Sequence, residues 1–151
     1  MQIMIGSDHA GYNMKNEVAE FLRKRGYNIQ DVGTFSEESV DYPDFAFKVA
    51  EGVAKKEADY GVLICGSGIG VSISANKVKG IRCALVYNLE VARLAKEHND
   101  ANILAFGSRF MTASFIEEAI QIFLGATFEE GRHCNRIRKI KAYERGENDE
   151  R

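Results

Sequence analysis

Short apolar runs and amphipathic segments alternate five times along this chain of 151 residues, and few folds accommodate that order. Parallel strands cannot be joined by a tight turn, so the chain must cross back over the sheet, and a helix is the usual means. Five strand-helix units in succession predict one α/β domain, a five-stranded parallel sheet with helices on both faces. Strands are expected over 3–5, 27–32, 60–65, 82–87 and 102–106. A first helix over 12–25 carries Met14, Val18, Phe21 and Leu22 at helical spacing, and Gly26 supplies its stop. The only proline, Pro43, suits the first turn of a second helix capped near Asp41, with Ala46, Val49, Ala50 and Val53 inward. Later helices start near Ile69, after an Asn88 cap (carrying Val91, Leu94 and Ala95), at Thr112 and at Arg132, the last strongly basic and ending near 143. The stretch 33–42 reads as an exposed loop, Cys83 as core, and 144–151, which has no apolar residue, as a charged, disordered tail.

The third expected strand stops at a thiol followed by alternate glycines, Cys65-Gly66-Ser67-Gly68-Ile69-Gly70. This is not a nucleotide fingerprint: Val71 stands where a dinucleotide site has its third glycine, and the Lys of a P-loop is missing. Two readings of the loop stay open. Cys65 is either a small apolar strand end above a tight turn, or a thiol placed with Ser67 beside backbone donors that favour an anion. In an open parallel sheet, ligands bind beyond the carboxyl ends of the strands. That rule gathers Asp8 and His9, Cys65 and Ser67, and Gly107-Ser108-Arg109, but it does not place His98-Asn99-Asp100, which precedes a strand.

A net charge of -2 gives no global attraction for nucleic acid or an anionic membrane surface, so any anion site has to be built locally. Cys65, Cys83 and Cys134 are odd in number and contain no CxxC pair, which argues for a reducing compartment. Without a leader-like start or an apolar run of membrane-spanning length, the cytoplasm is the expected location. His9, His98, His133 and Cys65 lack the close spacing of a zinc motif, and neither metal nor cofactor is expected.

Taken in order, Gly6-Ser7-Asp8-His9-Ala10-Gly11, Val40-Asp41-Tyr42-Pro43, the Cys65 loop, Ala75-Asn76-Lys77, His98-Asn99-Asp100-Ala101-Asn102, Phe106-Gly107-Ser108-Arg109 and Gly131-Arg132-His133 resemble the ribose-5-phosphate isomerase B family, which also includes galactose-6-phosphate isomerase subunits. The resemblance covers residues 3 to about 143 and implies a sugar-phosphate isomerase domain over 1–143 with a three-layer, Rossmann-like sheet. It further implies a homodimer or dimer of dimers with shared active sites, no metal, and reversible conversion of ribose 5-phosphate to ribulose 5-phosphate. By position it makes Cys65 the base that moves a proton between two carbons, His98 the ring-opening acid and Asp8 the acidic residue beside the sugar. Ser67 and the N–H groups from Gly66 through Gly68 and Ile69 to Gly70 would hold the enediolate oxygen. Tyr42 and Asn99 would contact the substrate, and Arg109, Arg132 and Arg136, with His9 nearby, would grip the phosphate. Arg132 and Arg136 are expected to reach a neighbouring subunit's site. Relatives that lack the cysteine use a glutamate where this chain has Val71, so it falls in the cysteine type; Ser67 replaces a common threonine, and His133 and Cys134 receive no role.

Each position also has a plain structural reading: Asp8 as a helix cap, His98 as a surface residue near a helix end, Arg136 with Arg138, Lys139 and Lys141 as the wet side of a helix. Two other functions compete, an isomerase of a six-carbon sugar phosphate such as galactose 6-phosphate or allose 6-phosphate, and a sugar-phosphate binding module without catalysis.

Overall fold

The structure, a computed structural model, describes residues 1–147. Five strands, β1 (Gln2–Ser7), β2 (Asn28–Asp31), β3 (Tyr60–Cys65), β4 (Cys83–Leu85) and β5 (Ile103–Gly107), form one parallel sheet in the order β2-β1-β3-β5-β4. Six helices connect or follow them: α1 (Tyr12–Lys24), α2 (Tyr42–Ala54), α3 (Ile69–Ala75), α4 (Leu89–Glu97), α5 (Ala113–Gly125) and α6 (Arg132–Glu144). The expected α/β class holds, and the elements begin and end close to the expected positions. Because β1 has β2 on one side and β3 on the other, the winding reverses between β1 and β3, which opens a crevice at their carboxyl ends.

Alternation along the strands sorts the core into two layers. Ile3, Ile5, Val62, Ile64, Leu104 and Phe106 pack with α1, α4 and α5. Met4, Leu63, Cys65, Ile103 and Ala105 pack with α2 and α3. Both faces of β3 are therefore covered, which is why its sequence is apolar without alternation. Asn88 and Thr112 cap α4 and α5, accepting from the N–H groups of Val91 (2.8 Å) and Phe115 (3.1 Å).

Some local expectations are corrected. Asp41 occupies the cap position of α2, but its side chain makes no capping bond, and Pro43 in the first turn starts the helix instead. On α4 the small residues Ala92 and Ala95 face the sheet, leaving Val91 and Leu94 half-buried. Cys83 is half-buried at the rim of its cluster, because β4 is a short edge strand. Residues 148–151 of the expected tail lie outside the described residues, and Glu144 closes α6, its carboxylate accepting from the Gly80 N–H at 3.1 Å. Among the described residues, no helix is long and apolar enough to cross a membrane.

Helical spacing also gave no sign that Lys15 is fully buried. Its Nζ lies 2.6 Å from Asp31 and above the rings of Tyr12 and Phe35. The other Asp31 oxygen accepts from the Gly33 N–H, so the pair anchors the start of the loop leading to α2. Lys15→Ala leaves that carboxylate without its cation and is expected to cost about 3 kcal/mol. In a thermal melt, this reads as a fall in Tm of roughly 10 °C; an unchanged Tm would mean that the pair contributes nothing.

Burial pushes the Cys83 thiol up to about 12, the Ser72 side chain pulling weakly the other way. At pH 8 Cys83 is thus protonated and unreactive, whereas Cys134 is exposed. Maleimide labelling followed by peptide mapping is expected to mark Cys134 in the folded protein and Cys83 only after denaturation; prompt labelling of Cys83 would contradict this.

Candidate active site

The carboxyl ends of β1, β3 and β5 meet in a cleft of about 450 Å³, lined by Asp8, His9, Tyr42, Cys65, Gly66, Ser67, Ile69, Gly70 and Arg109. Cys65 ends β3 on the α2–α3 face and is 4% exposed. Its sulfur accepts the Gly68 N–H at 3.1 Å. The two readings of this residue thus coincide: a small side chain packed in the core, with its sulfur at the cleft. An N–H aimed at sulfur stabilises it most when the sulfur carries negative charge. Gly68 makes that aim possible with φ of 81°, and a Cβ there would lie 2.6 Å from Leu85 and 2.8 Å from the Phe106 carbonyl carbon.

The surrounding loops are tied to this one. Ser67 Oγ accepts from the Ile69 N–H at 3.1 Å. After β5, the Ser108 and Arg109 N–H groups donate to the Cys65 and Gly66 carbonyls at 2.9 and 3.1 Å, and Ser108 Oγ donates to the Ala10 carbonyl at 2.8 Å. The Arg109 guanidinium lies over Gly66, where a Cβ would come within 2.7 Å of it, and the Tyr42 ring covers Gly70 so closely that a Cβ there would lie 2.5 Å from a ring carbon. Asp8, 7% exposed, accepts the Gly11 N–H at 3.1 Å and so caps the short 3-10 turn His9–Gly11 rather than α1, and it also faces the cleft. His9 Nδ1 accepts the Val40 N–H at 3.2 Å, which puts its ring proton on Nε2.

His98, Asn99, Arg132 and Arg136 are elsewhere. α4 returns the chain from the carboxyl end of β4 to the amino end of β5, so His98, just past α4, lies at the far edge of the sheet. With ~3.3 Å per residue along a strand, β5 alone separates the two edges by on the order of 13 Å. The His98 ring stacks on His133, centroids 4.3 Å apart and planes 17° from parallel. One Glu129 oxygen lies 3.3 Å from His98 Nε2 and 3.7 Å from His133 Nε2. Arg136 Nη1 is 3.5 Å from His133 Nδ1, while Arg132, Arg136 and Asn99 are exposed. Burial first, then the charges of His98, Arg132 and Arg136, hold the His133 pKa below the ordinary histidine value, against Glu129.

The expected phosphate grip is therefore divided, with His9 and Arg109 at the cleft and Arg132 and Arg136 beside His98. Sequence reasoning passed over Glu129 because it stands in a turn with no motif of its own. It weighed His98 and His133 together only as part of a zinc motif and set that aside on spacing, although their ligand atoms and that of Glu129 lie within 4.8 Å of one another. The near-parallel rings do not suit a metal: one ion cannot lie in both ring planes unless a ring turns.

The family model described as Ribose/Galactose Isomerase matches residues 3–140. Ribose-5-phosphate isomerase B of Escherichia coli is 44% identical over 147 residues, covering 97% of this chain and 99% of that one. Among solved structures, ribose-5-phosphate isomerase B of Clostridium thermocellum is 53% identical with a TM-score of 0.95, covering 97% of this chain and 99% of that one. The Mycoplasma genitalium enzyme, solved with bound ribulose-5-phosphate, is 46% identical with a TM-score of 0.92, covering 95% and 96%. With nearly its whole length matched in sequence and in fold, the chain belongs to the ribose/galactose isomerase family.

Proposed function

We propose that this protein interconverts ribose 5-phosphate and ribulose 5-phosphate in the cytoplasm, as a homodimer or dimer of dimers whose active sites are shared between subunits. The observation that carries the reading is the Cys65 sulfur at the floor of a cleft, held by the Gly68 N–H at 3.1 Å. In this mechanism the thiolate takes the proton from the second carbon of the open-chain aldose and returns it to the first. The enediolate oxygen is held by Ser67 and by loop N–H groups other than those of Gly68 and Ile69, which donate to Cys65 Sγ and Ser67 Oγ, beside Asp8. The separation of His98, Arg132 and Arg136 from Cys65 within one chain supports the shared site. The partner subunit's His98 would open the sugar ring, with the partner's Asn99 on the sugar, and the partner's Arg132 and Arg136 would hold the phosphate together with Arg109 and His9. Three free cysteines support a reducing compartment.

The test is proton exchange. In deuterated solvent, NMR is expected to show deuterium entering ribulose 5-phosphate in the presence of this protein. Binding without exchange would make it a phosphosugar binding module. Faster turnover of galactose 6-phosphate or allose 6-phosphate in a substrate panel would move the assignment to a six-carbon sugar.

A further inference from the structure

We infer that Glu129 is the positioning residue of His98, the carboxylate that fixes its ring and directs its Nε2 proton, with the buried His133 ring as the surface against which His98 is held. The inference rests on the ring-opening role proposed above. A histidine that donates and accepts a proton needs a fixed plane and a defined tautomer, and a carboxylate on the opposite nitrogen is a common way to supply both. Glu129 Oε1 stands 3.3 Å from His98 Nε2. The Glu129 backbone N–H also donates to the Glu97 carbonyl at 2.9 Å, so the carboxylate hangs from the turn that carries the imidazole. Arg82 holds the other side of that turn, its guanidinium donating to the Asn99 and Asp100 carbonyls at 2.9 and 2.7 Å. His98 therefore has little freedom at its backbone, and its side chain is still 34% exposed.

His133 completes the arrangement. It is 5% exposed, stacks on His98, and its Nε2 has no hydrogen-bond partner among the described residues. Its distance to the same Glu129 oxygen is longer, 3.7 Å. Burial, then the charges of His98, Arg132 and Arg136, disfavour its protonation, and the shorter contact of Glu129 goes to His98, which leaves His98 Nδ1 as the nitrogen for substrate.

Two reactions separate positioning from folding. Ribose 5-phosphate is mainly a closed ring and must be opened; ribulose 5-phosphate is open-chain, and its proton exchange at Cys65 needs no ring opening. Glu129→Ala is expected to lower ribose 5-phosphate turnover about tenfold to a hundredfold, by analogy with the loss of a partner that orients a metal-bound histidine. Exchange into ribulose 5-phosphate should stay near the wild-type rate. Glu129→Gln, which keeps an acceptor oxygen, should recover most of the turnover, and nitrogen-15 NMR should show the His98 Nε2–H tautomer in wild type and Glu129→Gln but not in Glu129→Ala. Equal loss of both reactions, or unchanged ribose 5-phosphate turnover in Glu129→Ala, would overturn the inference while leaving the isomerase assignment standing. Absence of exchange in the wild type would instead sink that assignment, and this inference with it.

Discussion

Cys65→Ala is expected to lower kcat for ribose 5-phosphate by about 1,000-fold or more, since a positioned base contributes roughly 10²–10⁴-fold. Binding of the phosphosugar should survive, because the charged groups assigned to the phosphate lie outside the replaced side chain. The site tolerates the change: Cys65 is 4% exposed in an apolar cluster, and a methyl group occupies part of the space of the sulfur. What is lost is the one cleft atom that both accepts the Gly68 N–H and can carry a proton to and from carbon. Cys65→Ser should be nearly as inactive, since a hydroxyl fits the position but is a far weaker base at neutral pH. Turnover and equilibrium binding of ribose 5-phosphate check both variants. Residual turnover in Cys65→Ala above about a tenth of wild type would lie outside the effect of losing a base and refute the role.

Mixing two inactive variants should restore activity. Arg136→Ala alone is expected to raise the KM for ribose 5-phosphate strongly, because a bidentate cation on the phosphate is removed. In a two-fold symmetric dimer with shared sites, a hybrid of Cys65→Ala and Arg136→Ala subunits has one site with both defects and one with neither. Random reassembly makes half of the dimers hybrid, so the mixture should reach on the order of a quarter of wild-type activity. Co-refolding or co-expression of the two chains, followed by an assay at fixed substrate, measures it. Activity no greater than the sum of the parents would mean that thiol and arginine act within one chain.

The fold was readable because the physics that fixes it is local. Strand β3, buried on both faces, had to be an unbroken apolar run, and the glycines after Cys65 had to end it. Asn88 and Thr112 cap because the same few side chains cap helices generally. One rule about the carboxyl ends of parallel strands gathered Asp8, His9, Cys65, Ser67 and Arg109, and these five line one cleft. What stayed hidden was set by pairs distant in sequence. Lys15 is buried because Asp31, at the end of the next element, meets it at 2.6 Å. Glu129 matters through its distance to two histidines, and nothing in the six residues between α5 and α6 announces that. The family motifs, being an ordered set along the chain, did not say that His98 and Arg136 sit at the edge of the sheet opposite Cys65. That separation is a consequence of α4 running antiparallel to the strands it joins.

The most direct measurement is a crystal structure of the wild-type protein soaked with ribulose 5-phosphate at a pH that slows turnover. Cys65 Sγ is expected at about 3.5 Å from the first two carbons of the sugar, the near-attack range for a reacting pair, with the phosphate between Arg109 and the arginines of a second copy. A sugar bound with its carbonyl end away from that sulfur, or with its phosphate held by one chain alone, would contradict this.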